Sequence, residues 1–396
     1  MLEIKKYIEK KNDIQQNLIE FIDDDSNREF YLYQLNILLH DQQVTRDRYE
    51  LISLVHLISR ILDYHHRTPT FFTKIEQVIL LFKSEIRKSL SNSQIFNIFK
   101  SNKRIILFLI EEGIIKPDKN IAKLLIQEEF FNSKYPIYFY NEFSNFFKEN
   151  ITDFKDDIEE LNKDTNEYIQ EKRKIGENHH HLSELIRNDS IEEFISFTNK
   201  TNLPLSTTIK PSIYETNLFL FQNTPTLIEY CVFFGSIQIF QYLILNNIEM
   251  TSSLWIYAIH GKNPEIIHIL EENHVVPDDP TFKECLFESI KCHHNEITNY
   301  ILNNLFRNHQ DDELSIFSMA IEYNNYEFFP ENLNNLFFLD ELCKFDYVPI
   351  VNLLINRKNI NSRIISKNKI FFLIKFLFNC LFLIELLMIF LIEFLT

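Results

Sequence analysis

The feature that most limits how this chain can fold is a recurring spacing. In its second half, short residue pairs are each followed by an Ile or Phe anchor: Cys231-Val232 by Ile239, Ala258-Ile259 by Ile266, Ser289-Ile290 by Ile297, Ala320-Ile321 by Phe328, and Leu342-Cys343 by Ile350. The anchors step by 27, 31, 31 and 22 residues. A weaker earlier copy places Leu185-Ile186 ahead of Glu192-Glu193-Phe194. A period of this length marks a structural repeat. A short helix with small residues on its inner side packs under a longer apolar helix, and neither buries its face without a stacked neighbour. The competing reading is chance recurrence of apolar residues in an ordinary all-α domain.

The best-formed copy, TLIEYCVFFGSIQIFQYLILNN from Thr226 to Asn247, resembles the ankyrin helix pair. Cys231 and Val232 occupy its small pair, Gly235 its inter-helix glycine, and Ile239 and Phe240 its Ile-Val step. Arg104 to Gly113, RIILFLIEEG, matches the second ankyrin helix and its closing glycine, so the N-terminal region reads as degenerate helix pairs. With the motifs SLWIYAIHGKNPEIIHILEEN (Ser253–Asn273) and ECLFESIKCHHNEI (Glu284–Ile297), the chain is similar to a protist family of ankyrin-repeat proteins that carry a helical domain of unknown function. The resemblance covers about residues 182–355 well and 1–181 loosely. It implies an all-α, ankyrin-like helix-pair solenoid with a helical N-terminal region, and protein–protein interaction. It implies no enzyme activity, cofactor or catalytic residue. Most Gly, Pro and His landmarks of the ankyrin consensus are missing, and the pattern stops after Leu353-Leu354-Ile355, where the family usually continues into further repeats.

Four regions follow from composition and periodicity: a helical region over 1–147, a charged helical linker over 148–181 ending near Gly176, the repeats over 182–361, and an apolar tail over 370–396. Among 396 residues there are 4 Gly, and neither a G-x-G-x-x-G nor a G-x-x-x-x-G-K-[ST] motif occurs, so no phosphate cradle is readable. The net charge of −16 argues against nucleic acid as a partner. Cys231, Cys285, Cys292, Cys343 and Cys380 contain no CxxC and fit reduced thiols in a cytosol. No secretory h-region is present in MLEIKKYIEKKND, which makes the N-x-[ST] triplets at Asn150, Asn188 and Asn199 chance matches.

Several constellations invite a chemical reading. His179-His180-His181 lies in a polar stretch that fixes no metal geometry. Cys285, Cys292, His293 and His294 contain zinc-type ligands, but in the repeat register they read as buried thiols and turn histidines. Glu265-Ile-Ile-His268 is a lone E-x-x-H step; Glu265 suits a helix N-terminus and His268 an exposed position. Trp255, the sole tryptophan, reads as core. No nucleophile signature is present, and no catalytic residue, metal ligand or cofactor is expected. The repeat-defining residues Cys231, Gly235, Ile239, Ala258, Ile266, Ser289, Ile297, Ala320, Phe328 and Ile350 are expected to hold the stack together, leaving an unidentified protein to bind the concave surface.

The tail supports a rival, membrane-attached class. Phe376–Ile392 is 17 residues, 13 of them Leu, Ile or Phe, with Glu385 near the centre. At a helix centre the acid costs roughly 3 kcal/mol while thirteen apolar residues return roughly 4–8. Arg357, Lys358, Arg363, Lys367 and Lys369 precede it and would keep the repeats in the cytosol. The tail also reads as a last buried helix pair, or as the product of a truncation or shifted reading frame. An enzyme with a non-standard site is the third class.

Overall fold

The computed structural model describes residues 2–41, 44, 46–127, 135–147, 165–306, 312–330, 336–345 and 347–355. Among them the protein is all-helical and contains no strand; Thr208 and Thr226 form a single isolated antiparallel bridge. No helix of the described residues is long and apolar enough to cross a membrane. The apolar tail, with Phe376, Glu385 and Ile392, lies outside the described residues, as does Cys380.

The N-terminal region holds α1 (Leu2–Asp23), α2 (Arg28–Asp41), α3 (Arg48–Tyr64), α4 (Phe71–Leu81), α5 (Lys83–Ser89), α6 (Asn92–Phe99), α7 (Lys103–Glu111), α8 (Lys119–Gln127), α9 (Tyr135–Tyr138) and α10 (Tyr140–Phe147). A charged helix follows, α11 (Asn166–Ile175), which starts on the Thr165 cap and ends where Gly176 turns left-handed at φ +70°. It is not wholly solvated: Ile169 and Arg173 are buried, and α11 packs on α7.

The rest of the chain alternates first and second helices. The pairs are α12 (His181–Arg187) with α13 (Ile191–Thr201), α15 (Leu227–Phe234) with α16 (Ile237–Leu245), α17 (Leu254–Gly261) with α18 (Pro264–Glu272), and α19 (Lys283–Lys291) with α20 (Asn295–Tyr300). Local chemistry fixes these boundaries: Thr226 and Glu229 form a reciprocal capping box at the start of α15, and Asn263 caps α18 with Pro264 in its first turn. The short α14 (Leu218–Gln222) precedes the second pair. Helix α21 (Asp312–Glu322) has no α-helical partner; after it comes one 3₁₀ turn, Tyr326–Phe328. That corrects the expectation of a second helix starting at Phe328. Pro330 drives Phe329 into the extended region (ψ 132°), so the helix cannot propagate. Helices α22 (Leu336–Lys344) and α23 (Val348–Ile355) complete the described chain.

The first helices stack in sequence order: α12 on α15, α15 on α17, α17 on α19, α19 on α21 and α21 on α22. The N-terminal region meets the row through α3, which packs on α14 and sets Tyr64 edge-on to Tyr323 after α21. In α17 every residue is buried except the half-buried Ile256. Helix α14 helps close this face, with Phe219 stacked against Phe233 and His260 and edge-on to Tyr257. Helix α1 buries Ile4, Ile14, Leu18, Phe21 and Ile22 at helical spacing and packs on α23 and the 3₁₀ turn, which joins the start of the chain to the end of the row.

Candidate functional site

Five successive turns after first helices are built the same way. One residue adopts a left-handed backbone: Asp189 (φ 49°), Gly235 (68°), Lys262 (52°), His293 (58°) and Asn324 (59°). Only one of these is glycine. Asn, Asp and His tolerate this region better than other non-glycine residues, which explains how a chain with 4 Gly repeats such a turn.

The residue after the left-handed position reaches back to the preceding pair. Ser236 Oγ donates to the Ile186 carbonyl at 2.6 Å, and Asn263 Nδ2 to the Gly235 carbonyl at 3.0 Å. His294 Nδ1 donates to the Ile259 carbonyl at 2.7 Å, and Asn325 Nδ2 to the Ile290 carbonyl at 2.9 Å. The Ile186, Ile259 and Ile290 carbonyls also accept the turn N–H groups of Asp189, Lys262 and His293, so those rungs fill the second lone pair of a carbonyl at a helix C-terminus and tie it to the next pair. Asp189 adds a longer reach, accepting from the backbone N–H groups of Gln238 and Ile239 at the start of α16.

The N-terminal helices dock on this ladder. Gln15 of α1 donates from Nε2 to Asn325 Oδ1 at 2.9 Å and accepts from the Tyr326 N–H at 2.8 Å; Gln15 and Asn325 are both fully buried. Asp23, at the end of α1, is 2.9 Å from His65 Nε2 and 2.6 Å from Lys262 Nζ. Burial alone would raise its pKa, but His65 and Lys262 together hold the carboxyl well below the usual range. His65 Nδ1 faces the Cys292 carbonyl at 2.9 Å, and the His66 N–H donates to His294 Nε2 at 3.3 Å. His294 is therefore fixed as the neutral Nδ1–H tautomer, and burial pushes its pKa well below the ordinary value. The same burial lowers half-buried His66 to about 4 and His293 to about 3.

Deeper, His260 joins two helices. Its Nε2 is 2.7 Å from Glu288 Oε1 and its Nδ1 is 3.5 Å from Cys292 Sγ. Burial would raise the Glu288 pKa, yet His260 and Lys291 hold it at about 2. This is a thiol–imidazole–carboxylate order, but Cys292 and His260 have 0% and 1% exposure and burial pushes the thiol pKa well up. A nucleophilic cysteine needs a stabilised thiolate and access, and this site has neither. As a metal set it is the one group of three candidate ligands among the described residues. Glu288 and Cys292 contact opposite nitrogens of the ring, Lys291 Nζ occupies the Glu288 carboxylate at 3.0 Å, and a structural zinc wants four converging ligands. The arrangement fastens α17 to α19.

The residues singled out in the sequence fall as follows. Cys231, Ile239, Ala258, Ile266, Ser289, Ala320 and Ile350 are buried, and Gly235 closes α15 in the left-handed conformation. Ile297 and Phe328 are only half-buried. Trp255 is buried and donates from Nε1 to the Val275 carbonyl; Cys231, Cys285, Cys292 and Cys343 are buried and in no disulfide. His268 is exposed and paired with Glu272. His179 and His180 do have fixed geometry, contrary to the polar-stretch reading: their rings lie 4.3 Å apart and bond to Ser212 and the Pro211 carbonyl. Sequence reading missed the rungs themselves, although a signal existed. Ser236, Asn263, His294 and Asn325 each stand three residues before an anchor.

Compared with protein-family models, curated proteins and solved structures, the chain matches none.

Proposed function

We propose that the helix pairs form an ankyrin-like solenoid and that the protein is a non-enzymatic recognition scaffold for another protein. The observation that supports this is the equal register of Ser236, Asn263, His294 and Asn325, one per pair, each bonded to the pair before it. A stack held by repeat-to-repeat bonds frees its outer residues for recognition. Helix α14, seated on α3, covers the first-helix face at α15 and α17, so the recognition surface is placed on the second helices and the loops between pairs. There Leu245 and Val276 are 82% and 56% exposed. Isolated apolar side chains of this kind are common, but one at the end of α16 and one on the loop after α18 offer anchors for a partner. The test is affinity capture from expressing cells with the wild-type chain and a Leu245→Asp/Val276→Asp variant of unchanged melting temperature. A partner lost with the variant supports the reading; an identical partner set refutes this surface.

A second reading rests on Phe376–Ile392, whose 13 Leu, Ile and Phe residues suit a membrane anchor. Carbonate-washed membranes retaining the full-length chain support attachment; complete release excludes it.

A further inference from the structure

Four histidines gather where the N-terminal region meets the row. His65 and His66 follow α3, and His293 and His294 lie in the turn between α19 and α20. The rings of His65 and His294 meet edge-on at 4.9 Å. We propose that this junction is an acid-operated latch, which parts the segment after α3 from the turns of the third and fourth pairs while the pairs stay stacked.

The two nitrogens of His294 serve different parts of the molecule. Nδ1 donates to the Ile259 carbonyl, a rung inside the row, and Nε2 accepts the His66 N–H, a bond across the junction. A proton on Nε2 removes the lone pair that the His66 N–H needs and sets donor against donor. The rung survives, because an imidazolium still donates from Nδ1. Acid therefore breaks the bond across the junction and spares the bond within the row.

His65 adds repulsion. Its Nδ1 faces the Cys292 carbonyl and its Nε2 the Asp23 carboxylate, each at 2.9 Å. Both partners are acceptors, so only a doubly protonated ring donates to both. Burial first, and then charge on His65, hold His66, His293 and His294 neutral. Lys262 acts in the same direction on His66 and His294, and Arg60 on His293. Asp23 is the counterweight at His66: bound to His65 and to Lys262, it stays ionised in mild acid and holds the latch closed until the histidines outweigh it. A ring kept neutral in the closed latch and free to charge in the open one contributes stability above the ordinary His value, which is lost as pH falls. Between pH 7 and pH 5 each such ring favours opening roughly twentyfold. The latch works whether or not the row binds another protein.

Hydrogen exchange read by mass spectrometry on the full chain, corrected for the pH dependence of intrinsic exchange, tests the latch. From pH 7 to pH 5 the His66 amide should lose roughly twentyfold of its protection or more. Over the same range the amides of α15 should keep theirs, and Trp255, the sole tryptophan and buried in the third pair, should keep its emission maximum. His294→Asn retains a rung donor, as Asn263 and Asn325 provide in the same register, but takes up no proton. It should recover roughly twentyfold of the lost protection. His268→Asn, exposed and outside the junction, should leave the loss unchanged. A variant that does not fold at pH 7 leaves the wild-type pattern to decide. The proposal is overturned if the His66 amide stays protected at pH 5, if α15 and Trp255 open together with it, or if folded His294→Asn shows the full loss.

Discussion

Replacing Gly261 with Ala should destabilise the protein by about 3 kcal/mol or more, although Gly261 is the last residue of α17 and helix propensity alone favours Ala by roughly 1 kcal/mol. The reason is the approach of α17 to α15. A Cβ on Gly261 would lie 2.1 Å from the Val232 carbonyl oxygen and 3.2 Å from that of Phe233. These are backbone atoms and cannot swing away, so the two helices must part by roughly 1 Å. A gap of that size forfeits about a quarter to a half of the dispersion energy across the contact. The affected contact includes Cys231, Val232, Ala258 and Ile259, all at 0–1% exposure. It also strains the Asn263 rung, which begins two residues later. Overpacking of a fixed core commonly costs about 1–3 kcal/mol, and the lost rung adds about 1. Gly113→Ala is the internal control: nothing lies within 4 Å of its Cβ, and φ +64° leaves only the left-handed penalty of roughly 1–2 kcal/mol. Urea denaturation with a common m-value measures both. If Gly261→Ala costs no more than Gly113→Ala, the helices do not approach as described.

Acidification should destabilise the fold between pH about 6.5 and about 4. His66 and His293, lowered to about 4 and about 3, and His294, lowered further by burial, contribute stability that is present above the ordinary His value and lost as pH falls below it. Asp63, raised to about 7 by burial, and Glu76 and Glu177, also raised by burial, oppose part of this loss, so the net fall is smaller than three histidines alone would give; denaturation midpoints that stay level from pH 7 to 5 would refute this. His274→Gly, at an exposed left-handed position (φ 53°), should raise stability by about 0.5–1 kcal/mol in the same assay, while His274→Val should lower it. Ile266→Asp should cost about 3 kcal/mol or more by placing an unpaired charge at a fully buried site; a midpoint within error of wild type would show that residue to be at the surface.

The helical class was readable because 3.6-residue periodicity is local, and Ile239, Ile266 and Ile350 were read as buried for that reason. Phe328 misled because its pattern resembles the other anchors while Pro330, two residues on, blocks the helix. The scarcity of glycine seemed to weaken the repeat, yet Lys262, His293 and Asn324 take the left-handed turns that glycine would. Reading αL positions as glycine positions hid them. The rungs were legible in principle as polar residues three before each anchor, but a polar residue at a helix start is common enough to pass as a cap. The docking of α1 was not legible. Gln15 and Asn325 are 310 residues apart, and nothing local to either specifies the other.

The claim that the N-terminal helices clasp the row of helix pairs is tested most directly by a double-mutant cycle on Gln15→Ala and Asn325→Ala. Their side chains exchange a buried 2.9 Å hydrogen bond, and Gln15 also accepts from the neighbouring Tyr326 N–H. Each single variant should lose about 1–3 kcal/mol through the buried polar groups it strands. The double variant should lose less than the sum, with a coupling of about 1 kcal/mol or more. Strict additivity within about 0.3–0.5 kcal/mol is what independent, distant sites give, and it would contradict the clasp.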